Sequence, residues 1–106
     1  MAALSHAVYF TLKERTPAAA AALVAGCREW LTGHPGTVSF SVGTVADYDR
    51  QVNDRDFDVA LVIVFESRAA HDTYQQDPRH DAFIAAHAPT WAKVRVFDAD
   101  VAAQIP

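Results

Sequence analysis

The stretch FDVALVIVF, residues 57–65, carries an apolar side chain at every position but Asp58. Read with the period of two of a β-strand, Phe57, Val59, Leu61, Ile63 and Phe65 fall on one face while Ala60, Val62 and Val64 fall on the other. Both faces must be shielded from water. One can be covered by helices; what covers the other decides the fold.

Upstream, HAVYFTLK (6–13) alternates His6, Val8, Phe10 and Leu12 with Ala7, Tyr9, Thr11 and Lys13, which predicts a strand. Thr16 can cap a helix with Pro17 in its first position, and Leu23, Val24, Cys27, Trp30 and Leu31 recur at helical spacing, with Trp30 read as core. Gly33, Pro35 and Gly36 end that helix. TVSFSVGTV (37–45) sets Val38, Phe40 and Val42 against Ser39 and Ser41, a half-buried strand. The segment ADYDRQVNDRD (46–56) has no apolar period and reads as the loop of a long hairpin. Its aspartates lack the spacing and glycine of a calcium loop, so a solvated turn is expected.

Downstream, Ser67 caps a helix that carries Tyr74 and ends at Gln76. Asp77 and Pro78 then cap and start another, with Phe83, Ile84 and His87 facing inward and Pro89 ending it. VRVFDADV (94–101) is a last strand, with Val94 and Val96 opposed to Phe97 and Val101. The order β-α-β-β-α-β, with right-handed crossovers, places both helical layers on one face of a four-stranded antiparallel sheet. This is a ferredoxin-like α+β sandwich in a single domain spanning residues 1–106. Its other face would carry Tyr9, Ala60, Val62, Val64, Phe97 and Val101, an apolar patch on the order of 400 Å². At about 25 cal/mol/Å² its burial is worth about 10 kcal/mol before association costs. A homodimer with the two sheets face to face is therefore expected.

Composition narrows the function. With 51% hydrophobic and 21% charged residues the chain is globular, and 9 Lys plus Arg against 13 Asp plus Glu leave no basic run for a nucleic acid. No secretory leader and no apolar run near the ~18 residues of a membrane span is found, which predicts a soluble cytoplasmic protein. Cys27, the one cysteine, has no disulfide partner within the chain and should pack.

The segments HAVYFTLK, DFDVALVIVFES, YQQDPRHDAF and VRVFD, in this order over nearly the whole chain, resemble the stress-responsive dimeric α/β-barrel (Dabb) family. Phe65-Glu66-Ser67 followed by Tyr74, Pro78, His80 and Phe83 is the most specific part. The resemblance implies the dimeric barrel that the two-faced strands already require. It extends to the family's plant olivetolic acid cyclase, which closes a linear polyketide without metal or cofactor. Tyr74 resembles its catalytic tyrosine, His80 its catalytic histidine, His6 a histidine of its first strand and Trp91 an aromatic of its pocket. Val59 departs from it, standing where that cyclase has a histidine.

Tyr74 closes one helix, the Asp77-Pro78 step redirects the chain, and His80 falls in the next first turn, so both can face one end of the space between helices and sheet. The helix start disfavours an imidazolium at His80 and leaves a neutral base, while the Tyr74 hydroxyl could donate to a carbonyl oxygen as enolate charge develops. Val8, Val59, Leu61, Phe83, Val94 and Val96 are the expected apolar walls, with Trp91 beside them and His6 at the rim. His87 is expected to pack or reach solvent, and His34 and His71 to lie at the surface. No histidine-carboxylate pair has a metal-ligand spacing, so neither metal nor other cofactor is expected. The same residues also fit a plain helix start, a core tyrosine and a histidine bonded to backbone. Three functions stay open: a cofactor-independent enzyme of the polyketide-cyclase or lyase kind acting on a small apolar or polyketide-like ligand; a non-enzymatic stress-response or binding dimer; or a haem-binding or cofactor-free monooxygenase.

Overall fold

The computed structural model describes residues 2–106. Its elements are β1 (Leu4–Leu12), α1 (Pro17–Trp30), β2 (Thr37–Thr44), β3 (Val59–Phe65), α2 (Arg68–Gln76), α3 (Pro78–His87), a 3₁₀ turn (Ala88–Thr90) and β4 (Trp91–Asp100). The four strands form one antiparallel sheet in the order β2-β3-β1-β4, with the helices on one side: the ferredoxin-like sandwich.

Each helix starts where a short polar side chain satisfies a free backbone N–H. Thr16 accepts from Ala19, Ser67 from Ala70 and Asp77 from Arg79, with Pro17 and Pro78 occupying first-turn positions that need no donor. Between α1 and β2 the chain reverses at Gly33 and Gly36, both at positive φ; a Cβ on Gly36 would lie 2.5 Å from that of Ala70, so glycine lets this turn sit under α2.

Alternation along the central strands sends Leu4, Val8, Phe10 and Leu12 of β1, and Val59, Leu61, Ile63 and Phe65 of β3, into the layer under the helices. There they meet Leu23, Cys27 and Leu31 of the first helical region and Tyr74 and Phe83 of the second. Burial pushes the Cys27 thiol up to about 12, so it stays a neutral packing group. Trp30, expected in the core, is half-buried against it.

Two readings of the strands are corrected. Phe57 does not share a face with Val59: its ring meets Tyr9 on the opposite side, centroids 5.1 Å apart. The cause is Asp58, whose N–H donates to the Phe10 carbonyl (2.7 Å) and whose carboxylate accepts from the Leu12 N–H (2.8 Å), breaking the alternation before β3 begins. Val38 falls in a register shift between Thr37 and Ser39 and is exposed. The loop aspartates lie exposed, as expected of a solvated turn, and two of them also carry surface ion pairs to β4. Asp56 binds Lys93 at 2.7 Å, which holds its carboxyl below the usual range, and Asp54 is held low first by the Asp56 backbone N–H and then by Arg95 at 2.9 Å. The 54–57 segment thus folds over one end of the open sheet face, where Thr11 also donates to the Asp56 carbonyl (3.0 Å). The rest of that face, with Ala60, Val62 and Val64 half-buried and Phe97 exposed, has no cover within the described residues. No described helix is long and apolar enough to cross a membrane.

Candidate functional site

The sheet's β1 and β4 set one wall of the site and α2 and α3 the other. Because β1 and β4 pair with His6 opposite Asp98 and Val8 opposite Val96, these side chains share the helix-facing side. His6 is buried, and its Nδ1 lies 2.6 Å from Asp98 Oδ1. Above them Tyr74 lies in the last turn of α2, and the Asp77-Pro78 step turns the chain so that His80 in α3 meets the tyrosine edge-on, ring centroids 4.9 Å apart.

A cavity of about 150 Å³ opens beside this pair. His6, Tyr74 and His80 border it at one end and Trp91 at the other, with Val8, Leu61, Phe83, Val94 and Val96 between. Val59 does not border it. That side chain is wholly buried in the core, paired between Phe10 and Thr44 at the far end of β3. Sequence reading missed Phe10, Leu31, Gln75 and Ile84, which also line the space. Val94, Val96 and Ile84 are among the exposed apolar side chains, so the cavity opens where no helix covers β4. The Trp91 indole N–H is buried without a hydrogen-bond partner among the described residues.

Two histidines placed at the surface by sequence reading belong to the site. His34 is buried, with Nε2 2.9 Å from the Trp30 carbonyl, and its ring stands 5.0 Å from Tyr74. His71 is half-buried, with its ring centroid 4.8 Å from that of His6. Tyr74 is therefore ringed by His6, His34, His71 and His80. His71 precedes Tyr74 by three residues on one helix, a spacing that could have revealed their shared face. No local signal marks His34 or Asp98. His87 packs over Gly26 of α1, away from this group.

The protonation states follow from burial. His80 is held below the ordinary histidine value chiefly by burial, aided by His6, His34 and His71 and opposed by Asp81. His6 is also lowered, burial outweighing its bond to Asp98. Burial, with Cys27 nearby, raises Tyr74 above its usual value, so it remains a hydroxyl. The site thus offers neutral imidazoles and a neutral O–H donor. Among the described residues, His6, His71 and Asp98 form a group that could hold a metal ion.

A model of the stress-responsive A/B barrel domain family, Dabb, matches residues 4–101. Among solved structures, a Dabb protein with a ferredoxin-like fold from Mesorhizobium loti superposes with a TM-score of 0.79 at 21% identity, covering 97% of this chain and 100% of its own. Hydroxynitrile lyase from Passiflora edulis gives 0.77 at 20% identity, covering 99% and 98%. A dimeric ferredoxin-like protein of unknown function from Thermobifida fusca gives 0.77 at 19%, covering 94% and 92%. At these identities the likeness is one of fold. No curated protein sequence matches.

Proposed function

The chain belongs to the stress-responsive A/B barrel (Dabb) family, and we propose that it acts as a homodimer joined through its open sheet face, each subunit binding a small carbonyl compound beside Tyr74 and His80. The observation that carries this reading is the 4.9 Å edge contact of these two rings on the wall of one cavity. His80, neutral near pH 7, takes a proton from the carbon next to a carbonyl; the Tyr74 hydroxyl donates to the carbonyl oxygen as charge moves onto it. The resulting enolate can attack a second carbonyl, as in a cyclase, or the same groups can assist carbon–carbon cleavage, as in a lyase.

Volume supports one of them over the other. A cavity of about 150 Å³ is the size that holds one aromatic ring, well short of the roughly 300 Å³ where larger ligand sites begin. It favours a single-ring or shorter substrate, and so the lyase-like reading, over an extended polyketide or haem. An acceptor at the substrate's far end would give the Trp91 N–H its partner. The small volume also supports a second reading, a non-enzymatic dimer whose interior is filled by its own side chains.

Assembly is supported by shape. The accessible surface of the described chain is 6539 Å², against about 5,800 Å² from the scaling for monomers of this size. Its radius of gyration is 14.1 Å, against about 13 Å expected. A slab with one uncovered face has these proportions.

Acetophenone supplies a test, since it carries one ring, one carbonyl and exchangeable methyl protons. Deuterium uptake in D₂O, followed by NMR, should be accelerated by the protein and fall by about 10²-fold or more in Tyr74→Phe or His80→Ala. Unchanged exchange in the double variant would remove the catalytic assignment, and binding without exchange would favour the non-enzymatic dimer.

A further inference from the structure

His6, His71 and Asp98 are far apart in sequence and come from three elements, β1, α2 and β4, yet one ligand atom from each lies within 4.8 Å of the other two. We propose that these three side chains form a binding site for a divalent transition-metal ion of the zinc class, at the His6 end of the cavity.

The donor set argues for that class. Two imidazole nitrogens and one carboxylate oxygen suit zinc, iron, cobalt or nickel, whereas magnesium and calcium favour oxygen donors throughout. Three protein ligands leave coordination positions open, and His6 already borders the cavity that Tyr74 and His80 share.

The geometry needs only local change. His6 Nδ1 and Asp98 Oδ1 sit 2.6 Å apart, joined through one hydrogen-bonding proton. Donors bound tetrahedrally to one ion at about 2.0–2.2 Å stand roughly 3.4 Å apart, so a cation replaces that proton with a widening of about 1 Å, within reach of side-chain rotation. The His71 ring, 4.8 Å from that of His6, closes the third side. It lies on a nine-residue helix and reaches the site from the solvent side, its side chain 15% exposed. Asp72 Oδ1 stands 3.2 Å from His71 Nδ1, a carboxylate of the kind that orients a ligating imidazole, which leaves Nε2 for the ion once the Gln75 amide, 3.4 Å away, swings aside. Asp98 lies directly across the β1–β4 ladder from His6, so the sheet fixes two of the three ligands relative to one another.

The inference is independent of the catalytic reading, and its test has no activity readout. The full chain, stripped with chelator, is titrated with Co²⁺ while the visible ligand-field absorption is followed, and with Zn²⁺ by calorimetry. One ion per chain should bind, Zn²⁺ should displace Co²⁺, and the imidazole NMR signals of His6 and His71 should shift together. His71→Ala should weaken binding at least tenfold, and since His71 is only half-buried, circular dichroism should show that variant folded. Asp98→Ala should weaken it as much, with His87→Ala, a histidine that packs over Gly26 away from the set, as the unaffected control. Absence of Co²⁺ absorption and of Zn²⁺ heat in the unaltered protein would overturn the proposal. So would full affinity in folded His71→Ala, which would place the ion elsewhere.

Discussion

The imidazole of His87, on α3, occupies the space where a side chain on Gly26 of α1 would begin. Gly26 thus lets the His87 ring pack directly against the α1 backbone. Alanine there would gain about 1 kcal/mol in helix propensity, but its methyl group meets the ring, and overpacking typically costs 1–3 kcal/mol. We expect Gly26→Ala to lower stability in urea unfolding. Gly26→Ala with His87→Ala should be more stable than the sum of the two single changes predicts, because the clash is gone and the propensity gain remains. Strict additivity would mean that the contact is not felt.

Arg79 couples the same two helices in polar terms. Its guanidinium donates to the Thr32 carbonyl at 2.8 Å and to the Glu29 carbonyl at 2.7 Å, closing two acceptors left free at the end of α1. Removing it by Arg79→Ala should cost about 1.5 kcal/mol. Lysine, with a single point of charge in place of a planar fork, should recover less than half of that. Since Arg79 precedes His80, its loss should also broaden the NMR signals of the His80 ring. An alanine variant as stable as the parent, with a sharp His80 signal, would show that the clamp is idle.

What could be read in the sequence was what short-range rules control. Thr16-Pro17, Ser67 and Asp77-Pro78 each act within one helical turn, and all three helix starts fall where those residues place them. The approach of Tyr74 to His80 followed from the same step. What escaped depends on partners far along the chain: the pairing of Asp98 with His6 spans 92 residues, and the burial of His34 comes from Tyr74 leaning over the α1–β2 turn. Phe57 changed face because Asp58 bonds to β1 rather than continuing the strand, a choice that alternation alone does not reveal.

Acidification should weaken the fold through the buried histidines. His6 and His80 both have folded values below the ordinary 6.5, so as pH falls through that value the unfolded chain takes up protons that the folded chain resists. Their contribution is fully present above 6.5 and is lost below it. Asp54 and Asp56 start from 3.8 and are lowered further, so they do not contribute to a change between pH 7.5 and 5. The urea midpoint should therefore drop across that interval, and the drop should shrink in His6→Gln. A midpoint flat from pH 7.5 to 5 would contradict this account of the site's protonation.

Val62 tests the proposed dimer most directly. It sits on the uncovered face of β3, opposite Ala7 on β1 and Ser41 on β2, half-buried in the single chain and far from the helix-side cavity. Lysine at this position leaves the chain's own core untouched but would place a charge in the middle of an apolar interface, where desolvation without a partner costs several kcal/mol. Sedimentation equilibrium should give twice the chain mass for the parent and a single chain mass for Val62→Lys at micromolar concentration. The parent's unfolding midpoint should also rise with protein concentration, and that dependence should vanish in the variant. A parent that sediments as one chain, or a lysine variant that still pairs, would mean that the open face is not where the subunits meet.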